Sequence, residues 1–273
     1  MRDCLQVMTD HPIDPTIRSE IERHLAAIEA EQGVRILFAC ESGSRGWGFA
    51  SPDSDYDVRF LYVHPLPWYL RVSPARDVIE LPISGVLDIN GWELRKALGL
   101  LKKGNATLLE WLDSPVVYRA DAPFLAALRW AAECTHRPER SFHHYLHMAQ
   151  GNYRAYLQGE QVRLKKYLYV LRPLLAALWI EQGRGLAPMR FQDLVDALVT
   201  APALRDAIAD LLARKRRALE SGYGAPLSLI DEYIAVELAR LEDAAVPVPR
   251  DIDFSVLDRL LFDTVTCSDG ADG

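Results

Sequence analysis

The sequence predicts an α+β protein: a small mixed sheet flanked by helices, followed by an all-helical domain. Three observations carry this. Short β-rich runs are confined to roughly the first 120 residues, as in "VRILFAC" (34–40), "DYDVRFLYV" (55–63), "DVIELPI" (77–83) and "GVLDIN" (85–90). From Ala122 to Phe262 apolar residues recur only at helical spacing, in about seven segments separated by Gly or Pro. The composition shift between these regions falls near Ser114 to Pro123, which divides the chain into 1–118 and 119–273.

The elements follow in order. Asp14-Pro15 starts a helix whose Ile17, Ile21, Leu25 and Ile28 repeat at helical spacing. "VRILFAC" reads as a strand broken by Glu41-Ser42-Gly43-Ser44, and "DYDVRFLYV" as a second strand. "GWELRKALGLLKKG" returns to helical period and "NATLLEWLD" continues it, with Gly104 and Asn105 suited to end one helix and cap the next. Lys102 and Lys103 beside them could equally touch a nucleic-acid backbone. "VRLKKYLYVLRPLLAALWI" is helical but holds Pro173, and "ARKRRALESG" (213–222) is the most basic run, a solvated helix face or a place for RNA phosphates.

Composition narrows the function classes. The 273 residues are 49% hydrophobic and 25% charged, enough for a sizeable core. The net charge of -7 argues against a broadly basic surface that wraps duplex nucleic acid. Cys4, Cys40, Cys134 and Cys267 show no CxxC spacing, so neither a zinc site nor a disulfide framework is expected. The N-terminus lacks the apolar core of a signal peptide and no run is long enough to span a bilayer, so a cytoplasmic location without membrane attachment is expected.

The chemistry is concentrated between Gly43 and Asp88. A strand followed by Gly43-Ser44 lets backbone approach a phosphate, Ser44 adds a hydroxyl and Arg45 a guanidinium. In a strand, residues i and i+2 share a face about 6.5–7 Å apart, so Asp55 and Asp57 would present two carboxylates together. Asp88, an acid between Leu87 and Ile89, is the candidate third carboxylate, with Glu80 as its competitor. Lys165, Tyr169 and Arg172 form a polar stripe at helical spacing, placed to meet a triphosphate or to be a solvated face. His143 and His147 sit at i and i+4 without the HExxH pattern of a zinc site.

"GSRGWGFASPDSDYDVRFLYV", with ten residues between Ser44 and Asp55, resembles the Gly-Ser … Asp-x-Asp signature of the DNA polymerase beta-like nucleotidyltransferase superfamily. Together with "GWELRKALGLLKKGNATLLEWL" and "KKYLYVLRPLLAALWI" it resembles the RNA-repair DNA polymerase beta family more narrowly. The resemblance implies a palm-like catalytic domain and Mg2+- or Mn2+-dependent transfer of a nucleoside monophosphate from a nucleoside triphosphate to a hydroxyl. It implies that Asp55, Asp57 and Asp88 bind metal and act in catalysis. Gly43, Ser44, Arg45, Lys165, Tyr169 and Arg172 would bind the nucleotide. The implied acceptor is an RNA end. A small-molecule or protein hydroxyl, or a catalytically silent nucleotide-binding regulator, stays open beside it.

Overall fold

The structure is a computed structural model that describes residues 13–73, 75–217, 222–249 and 251–266. Cys4, the tail from Cys267 and residues 218–221 of the basic run lie outside the described residues.

Helix α1 (Pro15–Gln32) is capped by Asp14, whose side chain accepts from the N–H groups of Thr16 and Ile17; it ends at Gly33 in the left-handed region. Next come β1 (Arg35–Glu41), the single turn α2 (Gly43–Gly46), β2 (Tyr56–Val63), the turn α3 (Leu66–Tyr69), β3 (Val78–Glu80) and β4 (Leu87–Glu93). Glu93 closes β4 and caps α4 (Leu94–Lys102) by accepting from Lys96 N–H. Asn105 caps α5 (Ala106–Leu112) in the same way.

Five strands form one sheet in the order β3-β4-β2-β1-β5, where β5 is Val117–Ala120. The β2–β4 pair is parallel and the other pairs are antiparallel, so the sheet is mixed. β5 was not expected from the sequence. A four-residue edge strand is too short for alternation to stand out. The expectation that strands end there is also corrected by a ribbon of β6 (Val162–Arg163) and β7 (Tyr223–Gly224).

The remaining helices are α6 (Ala122–Cys134), α7 (Pro138–Tyr156), α8 (Lys165–Glu181), α9 (Phe191–Leu198), α10 (Pro202–Arg217), α11 (Ser228–Glu242) and α12 (Ser255–Thr266). None of the described helices is long and apolar enough to cross a membrane.

Side-chain alternation decides what the sheet exposes. Tyr56, Val58, Phe60 and Tyr62 of β2, with Leu87 and Ile89 of β4, pack against Ile21, Leu25 and Ile28 of α1. On the opposite face Leu61 and Val63 are covered by apolar residues of α4, α5, α6 and α12. Asp57 and Arg59 occupy the start of that second face and stay half-buried. A further core joins α7, α8, α9, α10 and α11, and Phe49 from the loop after α2 is buried in it. The glycine-rich loop is thereby tied to the helical packing.

Candidate active site

The site grows from the end of β1. Gly43 takes φ 55°, and the N–H of Ser42 donates to the carbonyl of Asp57 at 2.8 Å. A Cβ built on Gly43 would lie 1.9 Å from Asp57 Oδ2. Only glycine therefore permits both this backbone conformation and this approach of the carboxylate. The turn is closed by Gly46 N–H to Ser42 carbonyl at 3.0 Å and Trp47 N–H to Gly43 carbonyl at 2.9 Å. Ser42 provides no side-chain cap to α2. Ser44 is 7% exposed, and its hydroxyl makes no hydrogen bond with the described residues.

Asp88 stands directly opposite Asp57 in the parallel β2–β4 register. Arg59 lies two residues beyond Asp57 on the same face and joins the pair. Its Nη2 donates to Asp57 Oδ1 at 3.2 Å and to Asp88 Oδ2 at 2.7 Å; its Nη1 donates to the carbonyls of Val58 and Asp88. Asp55 precedes the strand and is exposed. Burial raises the Asp57 carboxyl above the ordinary carboxylate range; Arg59 opposes this, and the charges of Asp88 and Asp55 add to it. Among the described residues no three His, Cys, Asp or Glu side chains are grouped to hold a metal ion by themselves.

Behind the pair lies Glu41, which is wholly buried. Its carboxylate accepts from Asp57 N–H at 2.9 Å and from the Tyr118 hydroxyl. Burial pushes its pKa up to about 7. The folded protein therefore holds this proton more tightly than the unfolded chain, and stability is lost as pH rises from about 4.5 through 7. In metal-free protein, Glu41→Gln should leave stability nearly unchanged at pH 4.5. At pH 8 it should add up to about 3 kcal/mol, read as a Tm difference that grows with pH; a pH-independent difference would contradict this.

Not every expected nucleotide contact is available. Arg45 turns under the loop: its Nε donates to the Asp55 carbonyl at 3.1 Å, its Nη2 to the Ser54 carbonyl at 2.7 Å, and its guanidinium lies 3.8 Å from the Tyr56 ring centroid. The expected polar stripe on α8 is also corrected. Arg172 is 1% exposed and pairs with Glu110 of α5 at 2.7 Å, while its Nε donates to the Met189 carbonyl. Glu110 also accepts from Trp47 Nε1 at 3.2 Å, so the ion pair holds the residue that follows the glycine turn. Tyr169 is half-buried and packs edge-on against Trp47 and Phe49. Lys165 starts α8 and is half-buried.

The basic run is corrected in part as well. Lys215 is 6% exposed and donates to Ser51 Oγ at 2.7 Å, while Arg216 donates to the Gly48 carbonyl at 3.3 Å. These residues fasten α10 to the loop between Gly-Ser and the aspartates. His143 and His147 stack with centroids 6.0 Å apart.

Two residues, Arg59 and Glu41, were missed from sequence, and two more, Glu110 and Lys215, were not read as buried partners of the site. Arg59 was findable as the i+2 neighbour of Asp57, and Glu41 as an acid ending an apolar strand. Glu110 and Lys215 carry no local signal, because their partners are distant in the chain.

Two adjacent carboxylates, Asp57 and Asp88, thus stand beside a glycine turn on a mixed sheet. The chain belongs to the RNA repair pathway DNA polymerase beta family, whose model matches residues 17–263. That places it among nucleotidyltransferases of the DNA polymerase beta superfamily. It is 46% identical over 252 residues to an uncharacterized protein, YcgL, of Bacillus subtilis (strain 168), covering 91% of this chain and 96% of that one. A crystal structure of a nucleotidyltransferase-like protein from Exiguobacterium sibiricum 255-15 aligns at 14% identity and a TM-score of 0.30, over 91% of this chain and 90% of that one.

Proposed function

We propose that this protein transfers a nucleoside monophosphate from a nucleoside triphosphate to the terminal hydroxyl of an RNA strand, with a divalent cation. The observation that carries the reading is the placement of Asp57 opposite Asp88, with Asp57 against a turn that tolerates no side chain at Gly43. The family description supports an RNA acceptor.

The residues fit Mg2+ or Mn2+ in donor chemistry. Two carboxylates side by side, bridged by Arg59, form a hard-oxygen site of the kind Mg2+ completes with substrate phosphates rather than with further protein ligands. Asp57 and Asp88 would hold the cation, with Asp55 at the rim. A bound cation would supply charge stabilisation for the phosphorus centre and its leaving group.

The chain's own residues do the rest. The Gly43–Gly46 turn presents uncapped N–H groups and the Ser44 hydroxyl to triphosphate oxygens. Asp88 takes the proton of the acceptor hydroxyl. That oxygen bonds to the α-phosphorus as the bond to pyrophosphate breaks. Arg59 keeps the two carboxylates from repelling one another when the cation is absent.

Binding can be tested apart from turnover. Mn2+ with a nucleoside triphosphate should raise the Tm of the wild type by several degrees, and Asp57→Asn or Asp88→Asn should lose most of that rise. Equal shifts in all three proteins would sink the assignment.

A further inference from the structure

Asp57 and Asp88 take their places from the sheet, whereas Asp55 lies just before β2 and outside the strand pairing. What fixes Asp55 is the turn that leads into it. Ser54 N–H donates to the Ser51 carbonyl at 3.0 Å, with Pro52 at the second position, so residues 51–54 form a β-turn. The Ser51 N–H donates to Ser54 Oγ at 3.0 Å, and the two hydroxyls lie 3.0 Å apart. Both serines are buried. Arg45, from the glycine turn, grips the end of this β-turn through the carbonyls of Ser54 and Asp55.

A second grip comes from the helical region. Lys215 of α10 reaches Ser51 Oγ at 2.7 Å and Ser54 Oγ at 3.5 Å, 164 and 161 residues away in the chain. Leu211 and Leu212 lie one helical turn earlier on the same face, and with Leu204 and Ile208 they are buried in the helical core. The ammonium therefore joins the β-turn to a packed base. A lysine is rarely buried this far, because its ammonium loses water. An apolar side chain of similar length would occupy the same space without that loss. The ammonium is thus better explained by the geometry its hydrogen bonds impose than by added stability.

We infer that Lys215 is a positioning residue for the cation site: through Ser51 and Ser54 it sets where Asp55 stands beside Asp57, and so how tightly the site holds a divalent cation. This rests on the nucleotidyltransferase reading of that site. Asp55 is near enough to Asp57 for its charge to bear on the Asp57 carboxyl. Without the clasp Asp57 keeps its place, since the β2 pairing and the Glu41 carboxylate hold its backbone. Asp55 has no such hold of its own beyond the β-turn and Arg45. The clasp therefore acts on the carboxylate at the rim and not on the sheet. It also makes cation affinity depend on the packing of α10, a helix whose own residues touch no part of the carboxylate pair.

The test is a Mn2+ titration of the full chain at fixed nucleoside triphosphate. The rise in Tm from each variant's own metal-free value gives an apparent Mn2+ dissociation constant. Lys215→Met should raise that constant about tenfold. Ser51→Ala, which removes the acceptor from the other side, should act in the same direction. Asp55→Asn should raise the constant too, and adding Lys215→Met to Asp55→Asn should raise it no further. Arg259→Met, at an exposed position of α12, should leave it unchanged. A wild-type constant in both Lys215→Met and Ser51→Ala would overturn the inference. So would effects of Asp55→Asn and Lys215→Met that simply multiply. Asp57→Asn, run in the same series, separates the two readings. It loses the Tm rise if the site is right and only the clasp is wrong, and keeps it if the site itself is wrong. A wild type that shows no rise would overturn both.

Discussion

Gly43→Ala is expected to abolish nucleotide-dependent activity while the sheet still forms. A methyl group at this position would overlap Asp57 Oδ2, so either the carboxylate swings away or the turn opens. Moving Asp57 also releases its shared contact with Arg59 and leaves Asp88 differently neutralised. The left-handed backbone adds about 1–2 kcal/mol of strain for alanine, which a protein with a core this size survives. Turnover should fall by at least about a hundredfold, as reacting groups displaced by an ångström commonly cause. Circular dichroism would show the fold kept. Turnover within a few-fold of wild type would show that the approach of Gly43 to Asp57 does not matter.

Arg172→Met is expected to be the most destabilising single change in the helical core. It leaves Glu110, itself buried, without its cationic partner, at a cost of about 3–5 kcal/mol. Trp47 would then lean on a lone buried carboxylate, so the glycine turn should loosen too. The double variant Arg172→Met/Glu110→Leu removes both charges and should recover a large part of the loss. Urea unfolding of the single and double variants reads this directly. A single variant within about 1 kcal/mol of wild type would show that the pair is not the strut described.

The parts legible in the sequence were those governed by short-range rules. Asp57 and Val58 fall on opposite faces because a strand alternates, and the burial of Tyr56 and Val58 follows. Asp88 stood out as an acid in an apolar strand, and the parallel register then set it opposite Asp57. The cap at Asn105 came from an equally local signal. What was not legible depends on contacts far apart in the chain. Arg172 reads as part of a polar stripe until Glu110, in another helix, draws it into the core. Lys215 reads as one of four surface cations until Ser51, 164 residues away, accepts from its ammonium. Arg45 was read as a phosphate ligand from its place beside Gly43-Ser44, yet backbone carbonyls of Ser54 and Asp55 claim it.

The measurement that bears most directly on the central claim is transfer from α-labelled nucleoside triphosphates. Wild type and Asp57→Asn are incubated in parallel with Mg2+ or Mn2+, each of the four nucleotides, and RNA ending in a free 3′ hydroxyl. The account predicts label joined to the RNA by the wild type and none by Asp57→Asn. Label joined equally by both proteins, or by neither with any nucleotide, would contradict it.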